Sequence, residues 1–210
     1  MNSNNTDDLF VQVRTAHRLL AAYYQRLLPT IERIAIDVGT EFYFWTPHRF
    51  SSAGQSNSNP FKKWQWDLLP AVITRYVFKH VNDLAKITQG DYIVEFLVIN
   101  DSGVNDEKGN SQPNGLDIQV SVEDAKSVLQ VGIYRAVNSS DEDFYNQWNM
   151  LKYPNYNNSE SCVLEEHFAT IGFEVPISEL MTEQGVTSVI EKIRDGLACT
   201  ESAQISVGEK

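Results

Sequence analysis

The sequence predicts an α+β fold: a mainly antiparallel sheet of five or six strands, with a long N-terminal helix and a C-terminal helix packed on one face. Three observations carry this. From Phe10 to Val38, apolar residues recur at alternating spacings of three and four, the period of one helix face. After Gly39 the period falls to two, in short apolar segments separated by polar loops rich in glycine and asparagine. No long helical pattern intervenes between most of those segments, so the strands pair antiparallel rather than through crossover helices.

The opening stripe consists of Phe10, Val13, His17, Leu20, Tyr24, Leu27, Ile31, Ile34 and Val38. Leu9, Ala16 and Tyr23 flank it on one side, and Ala21, Leu28 and Ala35 on the other. That is wider than the seam of a two-stranded coiled coil and predicts burial against a sheet; a dimerising helix is the second reading. His17, on the apolar face, is expected as a hydrogen-bonded core histidine. Asn5 or Thr6 can cap the start, with Asp7 and Asp8 where the helix dipole favours negative charge. Pro29 falls on the polar side, so a bend is expected there and not a stop.

The segment Thr40–Thr46 is too aromatic for a turn and reads as a strand, with Tyr43 and Trp45 on one face and Phe42 and Phe44 on the other. A long loop over 47–63 follows, and Ala71–Val81 is a second strand. Asp91–Ile99 has an interior that is apolar except for Glu95, which marks a central strand covered on both faces. Residues 100–115 form a loop. Leu116–Val122 alternates cleanly and is expected as a strand, with Lys126–Val137 as its antiparallel partner beyond a turn at Glu123 and Asp124. A short helix over Asp141–Leu151 is capped by Ser139 or Ser140. After a 153–161 loop, Glu166–Val175 is the last strand, ended by Pro176. Residues 177–182 form a helical turn, and Val186, Val189, Ile190, Ile193 and Leu197 lie along the final helix.

The chain has 210 residues, 42% of them hydrophobic, with no linker-like shift in composition, so a single globular domain over 1–210 is expected, frayed at 1–6 and 200–210. Its 17 basic and 28 acidic residues give a net charge of −11, and an acidic surface disfavours general nucleic-acid binding. The charge is uneven: residues 1–36 carry four arginines against Asp7, Asp8 and Glu32, so the acid excess lies in the remainder. The N-terminal residues lack a signal-peptide pattern, and no stretch has the length of a membrane span. Cys162 and Cys199 lack metal-ligand spacing and read as reduced thiols. A soluble cytoplasmic protein that does not cross a membrane fits these features.

No glycine-rich phosphate loop or Gly-x-Ser-x-Gly elbow is present. His17, His48, His80 and His167 are scattered singly. Glu165 and His167 share a side of the expected strand but have no identifiable third ligand, so neither a metal site nor a cofactor is expected. The best carboxylate set is Asp91, Glu95 and Asp117, which suits a metal-dependent hydrolase or nuclease. Restriction-type nucleases add a lysine two residues beyond the second acid, and Leu97 stands there. The plainer account makes Asp91 a strand-start residue and pairs Glu95 with an arginine from the first helix. The other concentration of interest is aromatic. Trp45, His48, Arg49, Trp64 and Trp66 combine rings and cations in the manner of interface anchors, although part of this stretch must be core. The leading expectation is therefore a non-catalytic intracellular protein that binds a protein partner or itself. A hydrolase using the clustered carboxylates is second, and a small-ligand protein with a pocket of Trp45, Trp64 and Trp66 third.

Overall fold

The first helix, α1, runs Ser3–Asp37 without interruption through Pro29. It ends where Gly39 adopts φ +81°, a left-handed conformation open to glycine at no steric cost. The Gly39 and Thr40 amides then donate to the Ile36 and Ala35 carbonyls, closing the last turn. The computed structural model describes residues 3–48, 71–104, 118–157 and 161–208.

Six antiparallel strands follow: β1 Glu41–Pro47, β2 Ile73–His80, β3 Tyr92–Ile99, β4 Val128–Ala136, β5 Val163–Glu165 and β6 Phe168–Pro176, in the spatial order β1-β2-β3-β4-β6-β5. Helix α2, Phe144–Met150, interrupts the strand run, and α3, Glu183–Gly208, closes the chain. β3 is buried along its entire length, as its apolar run requires. On one face Val94, Phe96 and Val98 pack with Leu129, Val131, Ile133, Ile171, Phe173 and Val175 beneath the two long helices. Those helices contribute Leu27, Ile31, Ile34 and Val38 from α1, and Val186, Val189, Ile190 and Ile193 from α3. On the other face Val77, Ile93, Tyr134 and Phe168 pack under Phe144 and Trp148 of α2. Arg33 joins the helices through its Nη1, which donates to both carboxylate oxygens of Glu183 at 2.9–3.0 Å.

The structure corrects several expectations. The α1 stripe is buried only from Leu27 onward; residues 8–22 are exposed on every side. In β1 the pairing with β2 shifts register between Phe42 and Phe44. This bulge turns Tyr43 and Phe44 together toward the α2 side, whereas Phe42 and Trp45 share the α1 side. Residues 118–122 form no strand, and Val122 is 84% exposed. Both edges of β4, its expected partner, are already taken by β3 and β6, so the alternating segment has no edge to join there. It lies against the Ser102–Val104 turn, where a Cβ on Gly103 would meet Ile118 and Val120. The α2 cap is Asp143, whose carboxylate accepts from the Asn146 amide, and neither Ser139 nor Ser140. Glu166 and His167 form the turn between β5 and β6, with Glu166 at φ 50°. Cys162 and Cys199, with Cα atoms 6.5 Å apart, are joined as a disulfide rather than standing as separate thiols.

Leu27 is 0% exposed and Leu20 is 52% exposed on the same helix stripe. Leu27→Asp is expected to abolish the cooperative melt, because an unpaired buried charge costs several kcal/mol against a domain stability of about 5–15 kcal/mol. Leu20→Asp should leave the monomer's circular dichroism spectrum intact. Equal damage from both would place residue 20 in the core.

Candidate functional site

Two features stand out once the side chains are in place: a buried ionic cluster under α2, and an apolar arm and groove formed by α1 and β1.

The cluster centres on Glu95. Its row across the sheet runs Val77, Glu95, Gly132, Gly172, so two of the three neighbours lack side chains. The space this leaves is filled by the segment after α2. A Cβ on Gly172 would lie 2.7 Å from Pro154 and 2.9 Å from the Tyr156 ring, and one on Gly132 would lie 3.0 Å from the Tyr134 ring. Arg75 of β2 meets the Glu95 carboxylate at 2.6 Å. Its guanidinium also lies 4.8 Å from the Trp148 ring centroid and 5.9 Å from those of Phe44 and Tyr153, inside a partial aromatic cage. The partner of Glu95 is therefore an arginine from the adjacent strand and not one from the first helix. Burial raises the Glu95 pKa, and Arg75 opposes that shift. Burial, and then the charge of Glu95, raises the Tyr134 and Tyr156 hydroxyls well above the ordinary phenol value. Glu95 Oε1, Arg75 Nε and the Tyr156 hydroxyl find no hydrogen-bond partner among the described residues.

Asp91 shares the sheet face of Glu95, four residues away, about 13 Å along a strand. Its carboxylate accepts from Asn82 Nδ2 at 3.1 Å, and burial raises its pKa while Asn82 lowers it. Asp117 lies outside the described residues. Among the described residues no three histidine, cysteine, aspartate or glutamate side chains gather at metal-binding distance. His167 instead sits between Asn138, at 2.6 Å, and Glu142, at 2.8 Å.

Of the aromatic candidates, Arg49, Trp64 and Trp66 lie outside the described residues. The His48 ring meets the Tyr153 ring edge-on at 5.7 Å, on the α2 side. Trp45 is on the opposite side, 58% exposed. With Phe42 it lines a groove of about 470 Å³ against Tyr24, Leu28, Ile31 and Tyr76. Where α1 leaves the sheet, the Tyr24 hydroxyl donates to the Ala71 carbonyl at 2.9 Å and the Tyr23 hydroxyl to Asn100 Oδ1 at 2.6 Å. Burial pushes the nearby Tyr76 hydroxyl up to about 12. Beyond this clamp the helix continues toward the N-terminus as a free arm. Residues 8–22 extend about 22 Å at the helical rise, and Leu9, Phe10, Val13 and Leu20 are 43–55% exposed along it. His17 is exposed on the same stripe and is not a core histidine. The sequence pattern identified the stripe but not its division; the available signal was length, because a helix of 35 residues outruns the sheet.

The chain belongs to the PM0109 family, whose model matches residues 3–202. Among its relatives is the uncharacterized protein PM0109 of Pasteurella multocida (strain Pm70), 22% identical over 204 residues, covering 93% of this chain and 95% of that protein. No solved structure matches. The family match begins at residue 3 and so includes the arm.

The ionic cluster carries its own test. Removing either partner strands a buried charge, so Glu95→Gln and Arg75→Met should each cost about 3–5 kcal/mol in urea unfolding. The double variant should cost clearly less than their sum. Strict additivity would mean that the two side chains do not act as a pair.

Proposed function

We propose that this chain is a non-catalytic protein that works by self-association, with the exposed arm of α1 as its contact element. One observation carries the reading. Four helical turns stand free of the described body, with Phe10, Val13 and Leu20 on a regular stripe in phase with the buried half of the same helix and Leu9 beside it. An isolated helix of that length is marginal in water, and an apolar face of this extent on a soluble monomer marks an interaction surface. The exposed Leu9, Phe10, Val13 and Leu20 have no role in the arm's attachment, which rests on Tyr23, Tyr24 and the core residues from Leu27 onward.

Light scattering on a size-exclusion column tests the proposal. The wild-type chain is expected to dissociate from dimer to monomer on dilution. Leu20→Asp, and Val13→Asp combined with it, should be monomeric at the same concentrations with an unchanged circular dichroism spectrum. A wild-type chain that stays monomeric when concentrated overturns self-association. Monomer that instead sediments with anionic phospholipid vesicles reassigns the arm to a lipid surface, in line with its arginines.

A further inference from the structure

We propose that two copies pair antiparallel in an arm exchange: each α1 arm lies along residues 10–27 of the partner's α1, and its tip enters the groove beneath the partner's Trp45. This rests on the self-association reading above and adds the docking surface, direction and register.

Among the described residues nothing covers the arm or the groove. The arm and the groove belong to the same chain, and the groove opens at the base of the arm, where Tyr24 and Leu28 line it with Phe42 and Trp45 of β1. A two-fold contact covers both at once, because the arm of each copy meets the groove of the other. A parallel pair would place both tips at the end of the assembly away from both grooves.

The register follows from the spacing of the stripe. In the antiparallel alignment that brings Phe10 level with the partner's Leu27, whose own side chain is buried in its core, Phe10 faces the exposed Leu28 beside it, Val13 meets the partner's Tyr24 and His17 meets the partner's Leu20. Phe10 then lies over the partner's turn 24–28, at the mouth of the groove. Sliding the helices one heptad outward leaves the groove empty. Sliding them one heptad inward drives the tip onto turns whose Ile31 and Ile34 are already covered by their own sheet. In the chosen alignment Arg14 comes alongside the partner's Ala21 and meets no other cation.

The area is adequate. Leu9, Phe10, Val13, Leu20, Leu28, Phe42 and Trp45 are each 39–58% exposed. At about 100 Å² apiece they offer roughly 700 Å², close to the ~800 Å² that each partner contributes to a stable interface.

Cysteine cross-linking tests direction and register. With Cys162 and Cys199 replaced by serine, Val13→Cys and Tyr24→Cys are made singly and together, oxidised, and run on a non-reducing gel. Positions 13 and 24 are about 16 Å apart on one helix, too far to bridge within a chain. The combined variant is expected to give covalent dimer and each single variant none. Covalent dimer from Val13→Cys alone means a parallel pair and overturns the proposal, as does a dimer by light scattering that no combination cross-links. A second variant probes the groove on the native background. Trp45→Ala, on β1 and not on the arm itself, should raise the dimer Kd by at least about tenfold while leaving the monomer's melting unchanged. An unaltered Kd removes the groove from the interface. A monomeric wild type removes the self-association reading and this arrangement with it, whereas wrong cross-links with an intact dimer remove only the arrangement.

Discussion

The structure depends on covering β3 from both sides. Every residue from Tyr92 to Ile99 is buried, Glu95 included, so the strand is stable only if each sheet face has its own lid. On one side the lid is α1 with α3, which bring aliphatic residues onto Val94, Phe96 and Val98. On the other it is α2 and the segment that follows, and here the cover is aromatic and polar: Trp148, Tyr153, Tyr156 and the Arg75–Glu95 pair. The two lids solve different problems. The aliphatic lid excludes water by area alone. The aromatic lid must also hold a carboxylate out of water, which it does with one guanidinium and a row of two glycines that let the rings close over the sheet.

Only part of α1 is needed for the first lid. Six strands at about 4.8 Å spacing span roughly 24 Å, whereas 35 residues of helix span about 52 Å. The C-terminal half is fixed by the Gly39 turn, by the Tyr92 hydroxyl donating to the Val38 carbonyl at 2.8 Å, and by the Arg33–Glu183 contact. The N-terminal half has no sheet beneath it. Periodicity reports that a face is apolar and says nothing of what covers it, which is why the stripe from Phe10 to Val38 reads as uniform in the sequence. The arithmetic of length was available there and points to the overhang.

Where other readings held or failed, the reason is similarly local. The β3 run and the positions of β1, β2 and β6 were legible because a continuous apolar or aromatic run needs no partner to be recognised. Leu116–Val122 has the alternation of a strand, yet residues 118–122 pair with nothing, since alternation cannot show whether a sheet edge is free. In β1 one extra residue at the bulge reverses the assignment of faces, so Trp45 joins Phe42 and not Tyr43. That single register shift brings Trp45 to the α1 side and makes the groove possible. The Arg75–Glu95 contact was legible as a need for a cation but not as a choice of arginine, because it depends on which strand lies beside β3.

The two features differ in what they ask of the rest of the molecule. The Glu95 cluster is closed by its own chain: its cation comes from the adjacent strand and its cover from the segment after α2, so its geometry is explained by folding alone. The arm is not closed in this way. Its stripe keeps the phase of the buried half across Tyr24, and apart from His17 the exposed surface stays apolar from Phe10 along the helix to Leu28, Phe42 and Trp45. A helix end that served only to finish the fold would become polar once it left the sheet, as the outward positions Gln12, Thr15, Arg18 and Gln25 already are. Apolar residues maintained past the edge of the body have a physical rationale only in a second surface, and the one such surface of matching character among the described residues lies at the base of the same helix.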